Sequence, residues 1–345
     1  MFGSYIMKLM IQISCYNEED YLRETLAALP TEMAGIDKIE TLIINDGSID
    51  NTVKVAKDFG VHHIISFKKN QGLAKSFMVG LNTCLKLGAD IIVNTDADNQ
   101  YNANDIPALI QPILDGKADM VIGTRPISRI KDFSLFKKIM QKIGSWLVRK
   151  VSRTTIQDAP SGFRAFSKNC ALKLNVFNTF TYTHETIIQA GLKNMVLCCV
   201  PVSVNPTTRP SRLFKSIPTY MARSFIAILR MVVVYRPFRF FLTIGLLFFG
   251  IGLLLGFRYL YFWLNSEGAH HVQSVILMGV CFGISFQMIL VAFVADLLGV
   301  NRKLLEEIQY RLRKQEISHT DCEPINTTLG NGSKSESNFQ LFSDF

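Results

Sequence analysis

Two long apolar stretches in the second half of the chain limit its possible folds more than any other feature. Phe240–Trp263 contains 24 residues with one charge, Arg258, and Val272–Ala295 contains another 24 with none. A helix of about 20 apolar residues crosses the hydrocarbon layer of a bilayer, and a helix in a soluble core rarely stays so apolar for this length. The sequence therefore predicts two membrane-spanning helices. Arg258 lies near the aromatic end of the first, where we expect it to snorkel toward the head groups.

The basic residues around these stretches predict how the chain is oriented. Arg236 and Arg239 precede the first stretch and five basic residues follow the second, whereas the connecting loop 264–271 contains neither Lys nor Arg. Such residues concentrate on the cytoplasmic side of membrane proteins. We therefore expect two spans within 239–298, with the rest of the chain and both termini in the cytoplasm.

The segments that flank the predicted spans have patterns of their own. Residues 213–238 interleave basic and apolar residues at helical spacing, which is typical of amphipathic helices in the membrane interface. An ordinary amphipathic core helix is the alternative interpretation. Residues 299–317 are charged and predict a cytosolic helix, and the polar residues of 318–345 predict a disordered tail.

The first 212 residues alternate apolar runs with helix-like segments. The predicted strands are Leu9–Ser14, Glu40–Asn45, His63–Phe67, Ile91–Thr95 and Met120–Gly123, and the predicted helices are Glu19–Ala28, Asn51–Phe59, Leu73–Leu87 and Ile106–Asp115. This alternation predicts an α/β domain with a mostly parallel, helix-covered sheet. Sheets of this kind bind their ligands at the carboxyl ends of the strands.

Composition narrows the classes of partner. The net charge is +9, and the basic residues cluster near the apolar stretches, which predicts attraction to an anionic membrane surface and to phosphate groups. No zinc-finger spacing or aromatic RNA-binding signature accompanies this charge, so no nucleic-acid partner is predicted. The seven cysteines are scattered without a C-x-x-C pair, so neither a disulfide framework nor a zinc site is predicted.

The fourth predicted strand ends in an acidic cluster. It runs into Asp96, Asp98 and Gln100, and alternate side chains of an extended chain point to the same side. We therefore expect these three side chains to converge. Two carboxylates and an amide oxygen suit a hard divalent cation that keeps open positions for phosphates. A strand that ends in an acidic, solvated turn is the alternative.

Three other predicted strands also end in polar loops. The first is followed by Tyr16, Asn17 and Glu18, the second by Asp46 in an Asp-Gly turn, and the third by Gly72. Helix capping and turn chemistry alone would explain each of them. Asp46 nevertheless suits hydrogen bonds from a base or ribose, and Gly72 would let the backbone approach a ligand.

Taken in this order, the motifs Tyr-Asn-Glu-Glu, Asn-Asp-Gly-Ser and Asp-Ala-Asp-Asn-Gln resemble those of the family 2 glycosyltransferases of the GT-A fold. The resemblance implies a nucleoside-diphosphate sugar as donor and Mg²⁺ or Mn²⁺ as cofactor. The implied nucleotide-sugar contacts are Tyr16, Asn17, Glu18, Asp46, Gly72, Asp96 and Arg125, and the implied metal ligands are Asp96, Asp98 and Gln100. Two positions depart from the pattern, since Cys15 stands where many members have Pro and Asn45 where many have Asp. These departures concern base recognition.

A second block, Asp158-Ala-Pro-Ser-Gly-Phe-Arg164, resembles one found in the polyprenyl-phosphate subgroup. That subgroup includes dolichol-phosphate mannose synthases and undecaprenyl-phosphate glycosyltransferases. The resemblance implies that Asp158 lies beside the acceptor and is catalytic together with Asp98. The implied contacts of the acceptor phosphate are Ser145, Arg164, Arg209, Arg212 and Lys215. A simple basic patch at the membrane surface is the alternative for the last three, and His184 and Glu185 either line the acceptor side or are structural.

The combined resemblance implies a membrane-bound, inverting glycosyltransferase with its active site at the cytoplasmic membrane face. It would move a hexose-type sugar from a nucleoside-diphosphate sugar to undecaprenyl or dolichyl phosphate, as a monomer or a homo-oligomer. One alternative is a transferase that extends a lipid-linked glycan or polysaccharide, and another is a catalytically silent membrane scaffold of the same fold. The Gln-x-x-Arg-Trp motif of processive synthases is absent, because Trp146 and Trp263 have other neighbours. No G-x-G-x-x-G follows a predicted strand, which argues against a nicotinamide enzyme.

Overall fold

The computed structural model describes residues 6–126, 145–146, 148–149, 152, 154–156, 158–176, 182–205, 226, 229–230, 232–265 and 272–320, with side chains up to 317. These residues belong to two compact units, one made of Met1–Ser224 with Tyr310–Phe345 and the other of Phe225–Gln309. The predicted interfacial segment 213–238 lies largely outside the described residues. So does the predicted tail, although helix continues from 318 to 320.

A seven-stranded sheet forms the centre of the first unit. Its strands are β1 (Lys8–Cys15), β2 (Lys38–Asn45), β3 (His63–Ser66), β4 (Ile91–Asp96), β5 (Met120–Thr124), β6 (Arg164–Ser167) and β7 (Leu197–Pro201). The spatial order is β3-β2-β1-β4-β6-β5-β7, and β6 alone among these strands runs antiparallel to its neighbours. The prediction of a mostly parallel sheet is therefore confirmed. The short strands β6 and β7 were not predicted.

Helices cover both faces of this sheet. They are α1 (Glu19–Ala28), α2 (Thr52–Asp58), α3 (Leu73–Lys86), α4 (Ile106–Leu114), α5 (Lys168–Lys173) and α6 (Thr183–Leu192), with a 3₁₀ turn at Ala103–Asp105. Leu9, Ile11 and Ile13 alternate along β1 into the apolar core shared with α1 and α4. Gln12 points to the opposite face, where a Cβ on Gly80 of α3 would lie 2.6 Å from its Oε1 atom. Strands buried on both faces explain the nearly continuous apolar runs in the sequence.

The carboxyl ends of β1, β2, β4 and β5 lie at one edge of the sheet because these strands are parallel. Since β6 runs in the opposite direction, the residues that precede it reach the same edge. Gly47 brings two of the edge loops together. Its φ is +72°, and a Cβ there would lie 2.6 Å from the carbonyl carbon of Lys69. Only glycine permits this close approach without displacing the second loop.

The second unit contains two long apolar helices, α7 (Pro237–Leu264) and most of α8 (Val272–Thr320). Their most apolar windows have mean hydropathies of 2.4 and 2.3, so both are long and apolar enough to cross a membrane. Helix α8 continues without a break past residue 298, where the second span was predicted to end. The cytosolic helix predicted at 299–317 is part of this same helix.

Small residues bring α7 and α8 close together. Ser285 Oγ donates to the carbonyl oxygen of Gly245 over 2.8 Å. A Cβ on Gly252 would lie 2.7 Å from the ring of Phe282, so that position also has room only for glycine. Close packing at small residues and a hydrogen bond between helices are typical of helix pairs in membranes.

Candidate active site

The acidic residues lie at the carboxyl end of β4. Asp96 is the last residue of the strand and is in register with Ser14 of β1. Asp98 and Gln100 follow in a turn, in which Asn99 has a left-handed φ of +52° and Gln100 N donates to Asp98 Oδ1 over 3.2 Å. All three predicted metal ligands are partly exposed. Because the strand ends at Asp96, a turn and not strand alternation keeps them at the same edge.

The two carboxylates of this cluster repel each other. Burial and the charge of Asp98 raise the pKa of Asp96 from 3.8 to about 7, although the positive charges of Arg125 and Arg164 act in the opposite direction. Gly162 packs directly against this carboxyl group, since a Cβ there would lie 3.1 Å from both of its oxygens. Asp96 is therefore close to half protonated at neutral pH unless a cation is present.

The acidic pair suits a hard divalent cation. A cation between Asp96 and Asp98 would remove the repulsion that raises the pKa of Asp96, and carboxylate oxygens are the ligands that Mg²⁺ and Mn²⁺ prefer. Within the described part of the chain, no group of three or more His, Cys, Asp or Glu side chains is placed to hold a metal. Two carboxylates occupy only part of the coordination sphere of such a cation, which would leave positions for oxygens from a bound phosphate.

A buried ion pair between Arg125 and Asp158 lies beside the acidic cluster. Nε and Nη2 of Arg125 donate to the two carboxylate oxygens of Asp158 over 2.8 and 3.0 Å. Although burial acts against its charge, Tyr101, Asp158 and Asp96 raise the pKa of Arg125 above its usual value. The Asp158 side chain is 0% exposed. In this arrangement Asp158 therefore holds Arg125 in place, and its predicted catalytic role stays a prediction.

Arg164 is also fully buried. It is 0% exposed, and its guanidinium donates to four protein acceptors, which are the carbonyl oxygens of Ala159, Ser161 and Thr183 and the hydroxyl of Thr186. Burial lowers its pKa to about 10, so it remains charged at neutral pH. Arg164 therefore ties the segment before β6 to α6. No donor of its guanidinium faces solvent here, and its predicted contact with the acceptor phosphate stays a prediction.

Ser145 supports the same segment from another side. It is 1% exposed, and its hydroxyl accepts a hydrogen bond from Ala159 N over 3.3 Å. Its predicted contact with the acceptor phosphate stays a prediction. The other three predicted phosphate contacts, Arg209, Arg212 and Lys215, lie outside the described residues.

The positions of His184 and Glu185 favour a structural role over a place on the acceptor side. Both lie in the first turn of α6 and are nearly fully buried. Burial and the nearby charge of Arg164 lower the pKa of His184 to about 4, so its imidazole is neutral at physiological pH. A neutral, enclosed histidine is suited to packing and not to binding an anion.

The loop after β1 contains one exposed side chain, Tyr16, and two residues that contact the neighbouring loop, Asn17 and Glu18. Tyr16 is 45% exposed, which leaves its ring free to contact a ligand. Asn17 has a left-handed φ of +55°, and it exchanges hydrogen bonds of 2.9 Å with Ser48 and Ile49 of the neighbouring loop. Glu18 N donates to Thr52 Oγ1. Asn17 and Glu18 thus hold the first two edge loops together, with Tyr16 at their outer surface.

Asp46 holds the loop after β2 against the loop after β3. It is 4% exposed, and its two oxygens accept hydrogen bonds from Gln71 N and Gly72 N over 2.7 and 2.9 Å. Gly72 has a φ of +91° and is the N-cap residue that precedes α3. The backbone at Gly72 is therefore fixed by Asp46, which explains why an Asp-Gly turn and a glycine occur at these two places.

A buried polar network beneath the site was missed by sequence reasoning. Gln12 Nε2 donates to Asn94 Oδ1 over 2.9 Å, and Asn94 Nδ2 donates to the Tyr182 hydroxyl and to Gly162 O over the same distance. Tyr182 also stacks on Phe77 of α3, with ring centroids 3.9 Å apart. The signal for this network was two amide side chains, Gln12 and Asn94, inside otherwise apolar strands.

Comparisons with known proteins agree with the geometry. The Glycosyl transferase family 2 model matches residues 10–177. The UDP-N-acetylglucosamine–dolichyl-phosphate N-acetylglucosaminyltransferase of Methanococcus voltae is 33% identical over 200 residues, which are 52% of this chain and 76% of the relative. Glycosyltransferase AglJ of Haloferax volcanii is 23% identical over 303 residues, which are 85% of this chain and 95% of the relative.

The fold also matches a solved structure. Glucosyl-3-phosphoglycerate synthase from Mycobacterium tuberculosis, in complex with Mn²⁺, UDP-glucose and phosphoglyceric acid, aligns with a TM-score of 0.50 at 14% identity. The alignment covers 64% of this chain and 79% of that one. The chain belongs to glycosyl transferase family 2, and its sheet and helices form a GT-A fold.

Proposed function

We propose that this protein transfers a sugar from a nucleoside-diphosphate sugar to a polyprenyl phosphate, with inversion at the anomeric carbon. The observation that carries the proposal is the repelling pair Asp96 and Asp98 at the carboxyl edge of the sheet, next to the buried cation Arg125. An acidic pair that needs a cation, beside a fixed positive charge, suits a diphosphate leaving group. The name of the Methanococcus voltae relative supports a polyprenyl-phosphate acceptor.

The donor would lie across the edge loops. Exposed Tyr16 is available to contact the nucleotide base, on loops that Asn17 and Asp46 hold in place. Mg²⁺ or Mn²⁺ held by Asp96 and Asp98, with Gln100 beside them, would neutralise the charge that develops on the leaving diphosphate. The donors to test are GDP-mannose, UDP-glucose and UDP-N-acetylhexosamines.

The acceptor needs little activation. In the transfer, a phosphate oxygen of the acceptor forms a bond to the anomeric carbon, and the bond from that carbon to the diphosphate breaks with its electron pair on the leaving group. A monophosphate with a second pKa of about 6 is mostly dianionic at neutral pH, so no base has to remove a proton. This chemistry agrees with the burial of Asp158, whose role would be to orient Arg125 toward a phosphate.

The membrane assignment belongs to the same proposal. A lipid phosphate stays at the bilayer surface, and α7 and α8 are apolar enough to anchor the enzyme there. The basic residues around these helices favour a cytoplasmic position for the first unit and for both termini.

The test is a transfer assay with the full chain. Membranes that contain the protein are incubated with each labelled nucleotide sugar and either undecaprenyl or dolichyl phosphate, and the lipid fraction is analysed. We expect label in the lipid with one donor, and loss of that label with EDTA or in Asp98→Ala. Absence of labelled lipid with every donor, or equal labelling by the variant, would refute the proposal.

A further inference from the structure

The segment that follows β7 is hydrogen-bonded along the acidic loop. Asn205 N donates to Gln100 O over 2.9 Å, and its side-chain Nδ2 donates to Asn99 O over 2.8 Å and to Asn99 Oδ1 over 3.4 Å. Next to these contacts, Val204 forms an antiparallel bridge with Tyr101. A residue more than one hundred positions away in sequence thus binds both residues that follow Asp98.

These contacts act on the left-handed residue of the loop. Asn99 has a φ of +52°, a conformation that few non-glycine residues adopt and that asparagine tolerates best. It lies between Asp98 and Gln100, the two predicted ligands that the strand does not hold. Within the loop itself, the described hydrogen bond is the one from Gln100 N to Asp98 Oδ1 at 3.2 Å. From outside the loop, Thr25 Oγ1 donates to Ala97 O over 2.8 Å at the start of the turn, and the amide of Asn205 supports Asn99.

We infer that Asn205 is a positioning residue that fixes Asp98 and Gln100 for the cation and the diphosphate of the donor. The inference rests on the proposed function, because it names a support for the same site. Groups that orient metal ligands without touching the metal typically change its affinity about 10-fold to 100-fold when they are altered.

The substitution Asn205→Asp separates this role from simple electrostatics. It keeps the size of the side chain and its backbone hydrogen bond but replaces the amide donor with a carboxylate oxygen. That oxygen would face the backbone carbonyl oxygen of Asn99 and repel it. An added negative charge near a cation site would by itself strengthen cation binding. The positioning role predicts the opposite sign.

Asp105→Asn is the matched control. Asp105 Oδ2 accepts a hydrogen bond from Ser203 N, so it anchors the same segment farther from Asp98, and an asparagine keeps an acceptor there. Asn205→Ala removes the amide without adding charge. Asp105→Asn thus changes the other anchor of the segment, Asn205→Ala removes the contact to Asn99, and Asn205→Asp removes that contact and adds a charge.

The experiment measures Mn²⁺ binding to the full chain in detergent by electron paramagnetic resonance, with saturating UDP. We expect Asn205→Asp to weaken binding roughly 10-fold or more, Asn205→Ala less, and Asp105→Asn by no more than about twofold. Thermal unfolding identifies any general loss of folding. The comparison requires that the wild-type protein binds Mn²⁺ and that Asp98→Ala abolishes this binding. If Asn205→Asp then binds Mn²⁺ as tightly as the wild type or more tightly, the inference is overturned and the proposed function is left intact.

A second measurement does not depend on the metal. Hydrogen exchange of the amides of residues 99–102 in the metal-free chain should be faster in Asn205→Ala than in the wild type, while exchange in the core strand β1 stays the same. Equal exchange overturns the inference. Wild-type protein that binds no Mn²⁺ at all refutes the proposed metal site, and the inference about Asn205 with it.

Discussion

The raised pKa of Asp96 makes a quantitative prediction about pH and metal binding. In the unfolded chain this carboxyl group titrates at its ordinary value of 3.8, and in the folded chain at about 7. Because the folded state holds the proton more tightly, the contribution of Asp96 to stability is full below pH 3.8 and is lost as the pH rises toward 7. A difference of about 3 in pKa corresponds to at most about 4 kcal/mol. Since the side chain is partly exposed, water reduces this value, and about 2 kcal/mol is expected.

Metal binding must displace that proton. Below pH 7 the apparent affinity for Mn²⁺ should therefore rise with pH by up to about 10-fold per pH unit, and above pH 7 it should level off. The assay is a Mn²⁺ titration of the full chain by electron paramagnetic resonance at several values between pH 5 and 8. Added Mn²⁺ should also raise the thermal unfolding temperature more at pH 7.5 than at pH 5.5.

The variant Asp98→Asn tests the cause of this dependence. It removes the neighbouring charge that helps to raise the pKa of Asp96, so the pH at which affinity levels off should move below 7, while the affinity on the plateau falls. An affinity that is constant between pH 5 and 7 would refute the reasoning. So would an Asp98→Asn variant whose midpoint stays near 7, because burial alone would then account for the pKa.

Three further predictions concern residues around the site. Asp158→Asn should lose less transfer activity than Asp98→Ala, because it weakens the hold on Arg125 but leaves the acidic pair; a reversed ranking in the lipid transfer assay would contradict the proposed roles. Tyr182→Phe keeps the aromatic stack but leaves one amide donor without its hydroxyl partner, and thermal unfolding should show a loss of about 1 kcal/mol. Arg164→Met leaves several buried carbonyl oxygens without a donor, so the free energy of unfolding should fall by roughly 3 kcal/mol or more. Arg164→Lys should not restore this stability, and unfolding curves of both variants would check it.

The parts of the fold that follow local patterns were predictable from the sequence. Strand β1 was predicted as Leu9–Ser14 and is Lys8–Cys15. Strand β4 was predicted as Ile91–Thr95 and ends one residue later, at Asp96. Apolar runs that stop at polar loops define such strands because burial decides them. By contrast, β6 is four residues long and begins with a charged residue, so no apolar run marked it.

The site was predictable in its composition but not in its arrangement. The motifs identified Asp158 and Arg164, yet a motif does not tell which way a side chain points, and both side chains are fully buried. The contact from Asn205 to Asn99 joins residues 106 positions apart. Such long-range contacts depend on strand order, which local periodicity does not encode.

The ion pair between Arg125 and Asp158 joins the end of β5 to the segment that leads into β6. The two residues are 33 positions apart, and their paired side chains join the two ends of the connection from β5 to β6. Breaking a buried ion pair leaves one charge uncompensated, so substitution of either partner should cost stability even where no substrate is bound. The end of β5 and the segment before β6 therefore depend on the same two side chains for their position.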